Sequence, residues 1–114
     1  MVVDALLGYS LDGPPRDPEA ELIRVVNGHG LPVLALDVPS GLDPDTGVPH
    51  EPTIKAARTL ALALPKAGLL VPEAAAHVGE LWVADISIPA SAYARFGIDP
   101  GPLFAGADLV RVVL

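Results

Sequence analysis

The sequence predicts an α/β fold built on an open, mostly parallel sheet, and three observations carry that expectation. Short apolar runs of strand length recur along the 114 residues, each closed by Gly, Pro, Asp or Ser. The first two runs enclose a loop and one helical stretch, a β–loop–α–β unit whose size implies a parallel pair and a right-handed crossover. Hydrophobic residues make up 51% and charged residues 18%, the balance of a packed globule and not of a disordered chain.

Residues 1–7 read as a buried strand interrupted by one acid, Asp4, and followed at once by Gly8. A start directly on a buried strand is unusual, because termini are normally exposed, and it is the first sign of a missing upstream half. Residues 8–16 form a loop on composition. Asp17 then caps a helix with Pro18 at its first position and Glu19 and Glu21 in its first turn. Leu22, Val25 and Val26 supply its apolar face, and residues 27–30 end it. Residues 32–36 make a second strand ended by Asp37. Residues 39–52 form a long polar loop, residues 59–64 a third strand, and residues 65–68 a turn. A helical turn over 73–77, a strand over 81–86, a helical turn over 91–96 and a last strand over 108–114 complete the chain. With 11 glycines and 13 prolines spread between the apolar runs, and no internal repeat, this is one domain. Its order of elements suits the second half of a doubly wound fold.

Composition narrows the function classes. The formal net charge of -7 repels phosphate backbones at long range, and no Lys/Arg run offsets it, so nucleic acid is not expected as a partner. Cysteine is absent, which removes disulfides, thiolate metal sites and cysteine nucleophiles. No apolar stretch approaches the roughly 18 residues that span a bilayer, and the start lacks a signal-peptide pattern. The expected location is the cytoplasm.

In an open α/β sheet, ligands bind beyond the carboxyl ends of the strands. Three loops rich in Gly, Pro and small polar residues converge there: 8–14, 37–41 and 65–68. Such loops let backbone N–H groups approach an anion, although each is also ordinary turn chemistry. Asp4 lies inside an apolar strand and needs a partner: a hydrogen bond, a basic group or a cation. Asp37 and Ser40 sit near each other, and carboxylate, hydroxyl and carbonyl oxygens are what hard cations take. Asp37 as a loop cap is the simpler alternative. Lys66 stands on the same rim, as a phosphate contact or a solvated side chain. Asp43 and Asp45 resemble a calcium loop only faintly, since Pro44 intervenes and no Glu closes it. His29, His50 and His77 share no ligand spacing and are expected at the surface. Residues 8–13 miss the G-x-S-x-G elbow by one residue.

Four segments together resemble the NAD(P)H-hydrate epimerases, also called YjeF amino-terminal domains. They are residues 3–16 (VDALLGYSLDGPPR), 37–47 (DVPSGLDPDTG), 65–69 (PKAGL) and 78–86 (VGELWVADI), in the family's order and spacing over most of the first 89 residues. The resemblance implies a Rossmann-like fold and an isomerase that interconverts the R and S epimers of hydrated NADH or NADPH at C6 of the nicotinamide ring. It implies that Gly8, Tyr9, Ser10, Leu11, Asp12, Gly13 and Pro14 line the dinucleotide, chiefly its phosphates. Asp37 would contact the hydrated nicotinamide nucleotide and is the candidate for proton transfer at the C6 hydroxyl. Asp4 and Ser40 would coordinate a potassium ion.

The chain departs from the family in three places. The upstream G-N-N-G-G-D-G loop and the first strands are absent, Ala57 stands where members usually carry Asp, and Ser87 where they usually carry Gly. The first strand then presents an unprotected edge. The site is therefore expected to be incomplete in this chain, which would form a homo-oligomer or depend on the missing upstream half. The other classes are a non-catalytic nucleotide-binding or protein-interaction module, and a truncated fragment.

Overall fold

The computed structural model describes residues 1–8 and 12–114. Its sheet has five strands in chain order: β1 (Val2–Asp4), β2 (Val33–Leu36), β3 (Arg58–Leu62), β4 (Glu80–Ala84) and β5 (Leu109–Val112). β1 to β4 run parallel, and β5 returns antiparallel to β4. The mostly parallel α/β expectation holds, wound in one direction as one half of a doubly wound sheet is.

Repeated right-handed crossovers in one direction bring the connections to one face of the sheet. Ile23 of helix α1 (Glu19–Gly28) packs there with Val33, Ala35 and Ile54. Leu69, Ala74 and Val78 pack with Ala61, Leu81 and Val83 beside them. Pairing aligns Asp4, Ala35, Thr59 and Leu81 in one row of this covered face. The only hydroxyl in the row is neutralised locally, Thr59 Oγ1 donating to the Val78 carbonyl at 2.7 Å. The opposite face carries Val3, Leu34, Leu36, Leu60, Leu62, Trp82 and Leu109, all partly or well exposed. A groove of about 280 Å³ there is lined by Leu34, Arg58, Leu60, Trp82 and Leu109.

Four local expectations need correction. The inward stripe of α1 is Ala20 and Ile23 with the half-buried Val26 packed beside them, as expected for Val26, whereas Leu22 and Val25 are exposed. Asn27, exposed at the end of the helix, ties it to the loop before β3 through both amide atoms, donating to the Thr53 carbonyl at 2.9 Å and accepting the Lys55 N–H at 3.0 Å. Pro18 precedes the helix, and no side chain caps it. The loop expected to be polar is largely buried: Val38, Pro39, Ser40, Gly41 and Leu42 all lie inside. Leu42 plugs the core, and the loop satisfies its own backbone through bonds such as Leu42 N–H to Pro39, Asp43 N–H to Val48 and Ile54 N–H to Ser40. His77 is half-buried, with Nδ1 3.0 Å from the Ile54 carbonyl.

A 3-10 turn (Pro72–Ala74) leads into the short α2 (Ala75–Val78), and α3 (Ala90–Ala94) follows β4. No helix among the described residues is long and apolar enough to cross a membrane.

Candidate functional site

The parallel strands place their carboxyl ends on one rim, and three of the four end at or beside an acid: Asp4, Asp37 and Asp85. Asp4 is the last residue of β1 and only 3% exposed, so its charge has to be met within the protein. Register does this. With Asp4 beside Ala35, the turn after β2 lies next to the carboxylate. Asp4 Oδ2 accepts the Ser40 N–H at 2.8 Å, and Oδ1 accepts the Ser40 hydroxyl at 2.6 Å and the Leu6 N–H at 3.3 Å. Ser40 Oγ in turn accepts the Leu7 N–H at 2.9 Å and lies 3.3 Å from the Leu7 carbonyl. No basic side chain among the described residues contacts Asp4. Among the described residues its partners are one hydroxyl and two backbone N–H groups.

Leu7 ties this pair to the next loop. Gly8, Asp12 and Pro14 line a cleft of about 420 Å³ together with Leu7, Pro15, Arg16 and Glu19. Gly13 adopts φ 75° there, a conformation that favours glycine. Tyr9, Ser10 and Leu11 lie outside the described residues.

Asp37 faces the other way, toward β3. Its backbone sits at φ 66°, in the left-handed region that costs a non-glycine residue energy. The turn is held by the Asp37 N–H on the Leu60 carbonyl at 2.8 Å and the Val38 N–H on the Leu36 carbonyl at 2.9 Å. Asp37 Oδ1 accepts the Lys66 ammonium and, at 3.4 Å, the Leu62 N–H. The structure therefore pairs Asp4 with Ser40 and Asp37 with Lys66, and shows no bond between the two carboxylates. Lys66 was legible as a rim residue; its partner was not, because nothing in the sequence states how far residue 66 lies from residue 37.

The turn carrying Lys66 is clamped to the loop after Asp37. The Gly68 N–H donates to the Pro44 carbonyl at 2.8 Å. A β-carbon on Gly68 would stand 2.6 Å from each of the Asp43 carbonyl, the Pro44 carbonyl and the Gly47 nitrogen, so no side chain fits. Asp43 is turned inward on its own loop, accepting the N–H groups of Asp45 and Thr46 at 2.9 Å each. These bonds, Thr46 first, hold its carboxyl below the usual range. It closes a turn instead of presenting oxygens to a cation.

A family model described as "YjeF-related protein N-terminus" matches residues 1–68. The chain belongs to this family. The matched part of the YjeF-related domain contains Asp4, loop 8–14, Asp37, Ser40 and Lys66. Among its relatives, the "NAD(P)H-hydrate epimerase" of Dehalogenimonas lykanthroporepellens is 44% identical over 114 residues, covering 98% of this chain and 44% of the relative. The "Bifunctional NAD(P)H-hydrate repair enzyme Nnr" of Pyrobaculum aerophilum is 46% identical over 111 residues, 97% of this chain and 22% of the relative. Among solved structures, the crystal structure of yeast ynu0 superposes with a TM-score of 0.72 at 25% identity, covering 96% of this chain and 45% of that one. This YjeF-related chain thus spans less than half the length of these relatives.

Proposed function

We propose that this chain contributes part of a site that interconverts the R and S epimers of hydrated NADH or NADPH at C6 of the nicotinamide ring. The observation that carries the reading is Asp37. It is a carboxylate at the carboxyl end of a parallel strand, held in a strained turn on the rim it shares with loop 8–14. The names of the relatives, NAD(P)H-hydrate epimerase and repair enzyme, support the substrate class.

The chemistry requires one proton given and one returned. Protonation of the C6 hydroxyl lets it depart as water with the C–O electron pair, while the ring nitrogen lone pair stabilises the resulting cation. Water then adds to the other face of C6 and gives up a proton. Asp37 is the group proposed to move that proton. Loop 8–14 is proposed to receive the phosphates through its backbone N–H groups.

The donor set beside β1 fits a potassium ion. A carboxylate oxygen of Asp4, the Ser40 hydroxyl and the Leu7 carbonyl lie together, all oxygens and with no cationic side chain among them. Asp4 and Ser40 would hold the ion, which when bound supplies positive charge beside the phosphate loop. The cytoplasm is the proposed location.

Purified R-NADH hydrate, followed by chromatography with and without potassium, tests the reading. A complete version of the protein is expected to epimerise it in a potassium-dependent manner, and Asp37→Asn is expected to lower the rate by about 10²–10⁴-fold. An Asp37→Asn variant at the parent rate would overturn the role of Asp37.

A second reading has its own observation. The apolar sheet face and the unpaired edge of β1 favour a chain that works against further polypeptide, either a second copy or the remainder of a domain as long as its relatives. As a binding module it would show a nucleotide-dependent melting temperature without turnover.

A further inference from the structure

We infer that Lys66 is a positioning residue for Asp37: its ammonium sets the orientation in which that carboxylate meets the substrate. The inference rests on the epimerase reading above and assigns a role to a residue that reading leaves unused.

The backbone of Asp37 is fixed, but its side chain is not fixed by the backbone alone. The N–H of Asp37 is bound into the sheet at 2.8 Å. Its carboxylate, by contrast, receives one backbone N–H, that of Leu62, at a long 3.4 Å. The strong donor is Lys66. The two side chains are 22% and 21% exposed. In the other ion pairs among the described residues the basic side chain is more than half exposed: Arg24 with Glu21, Arg58 with Glu80 and Arg111 with Glu80. Exposed pairs are screened and hold little geometry, whereas a pair shielded by protein holds more.

Lys66 is itself held in place. It precedes the 3-10 turn Ala67–Leu69, its carbonyl accepts the Leu69 N–H at 3.0 Å, and Gly68 is wedged against Pro44 without room for a β-carbon. The two ends of the pair are thus fixed by elements that touch each other, the turn after β3 and the loop after β2. Two nearby acids are engaged elsewhere. Asp4 is bound to Ser40 and Leu6, and Asp43 is turned onto Asp45 and Thr46.

Two measurements test this. In the full-length protein that carries this segment, Lys66→Met is expected to lower kcat by about 10–100-fold, the scale of a misplaced catalytic group. KM should change little, Lys66→Arg should recover most of the rate, and Lys66→Met on top of Asp37→Asn should cost nothing further. Asp37→Asn at the parent rate sinks the epimerase role of Asp37. An inactive Asp37→Asn beside a fully active Lys66→Met sinks the Lys66 inference alone. Equal, additive losses with Lys66→Arg as poor as Lys66→Met mark a merely structural lysine and overturn it too. Independently of turnover, the carboxyl ¹³C resonance of Asp37 should move in Lys66→Met and stay near its parent position in Lys66→Arg. A resonance that does not move in Lys66→Met overturns the inference.

Discussion

On one face of the sheet, Asp4, Ala35, Thr59, Leu81, Ala61 and Val83 are buried beneath α1, the loop after β2 and α2. On the other, Leu36, Leu60, Trp82 and Leu62 are only half-buried, and Val3 and Leu109 are exposed. The strands supply aliphatic residues to both faces alike. What differs is where the crossovers run, and all of those between β1 and β4 lie on one face. A parallel sheet is ordinarily covered on both sides, so the open face marks the side on which further polypeptide is wanted. The polar residues of the sheet show the same division. Asp4 and Thr59, on the covered face, have every polar atom bonded locally. The charged groups of the open face, Arg58, Glu80 and Arg111, form an exposed cluster at its amino-terminal corner.

The largest expected effect lies on the covered side. Ile54→Ala should cost about 2–5 kcal/mol in urea unfolding, because Ile54 is fully buried against Ile23 and Val33 and its loss leaves a cavity. Gly68→Ala should cost about 1–3 kcal/mol or more by the same measurement, since its β-carbon meets three backbone atoms that cannot retreat. Asp4→Ala comes next, at about 1–3 kcal/mol, because it strands the buried Ser40 N–H. A much smaller value would mean that water accepts from that N–H in place of the carboxylate.

The open side should tolerate change. Leu60→Ser is expected to cost less than about 1 kcal/mol, given how little of its partial burial is at stake. If it costs as much as Ile54→Ala, the face is covered in solution, and sedimentation of the parent chain should then show self-association. The smallest effect concerns Glu80. Its carboxyl is held below the usual range by the hydrogen bond from Arg58 first, then by the Trp82 N–H and the Arg111 charge. A carboxyl lowered in the folded state stabilises the protein above its unfolded value and loses that contribution as pH falls through the folded one. The melting-temperature gap between the parent and Glu80→Gln should therefore narrow as pH drops below the ordinary glutamate range.

Much of this architecture was legible before any coordinates. The strand positions came through within a few residues because apolar runs bounded by Gly, Pro and Asp have little else to become. Asp4 was recognisable as an acid in need of a partner, and Asp37 as a strand-ending acid on the ligand rim. Ser87, which the family resemblance reads as replacing a Gly, sits at φ 64°, a conformation that favours glycine. Other features were not legible. The α1 stripe is legible only in part: Val26 faces the core as its spacing suggests, but Ala20 and Ile23, not Leu22 and Val25, complete it, because the rotation of the helix about its axis is set by how it docks on the sheet. The loop after β2 was read as polar because its burial depends on Leu42 and on bonds within the loop that composition does not show.

The sequence by itself determined the number and kind of the strands, the acids at their carboxyl ends and the family to which the chain belongs. These depend on local patterns: periodicity, turn residues and motifs read over a dozen positions. Only the tertiary structure decided which face is covered, that Ser40 and not a cation-bearing side chain meets Asp4, and that Lys66 reaches Asp37. Each of those outcomes joins residues more than 25 positions apart, and such distances are set by strand register and crossover path, which no local pattern records.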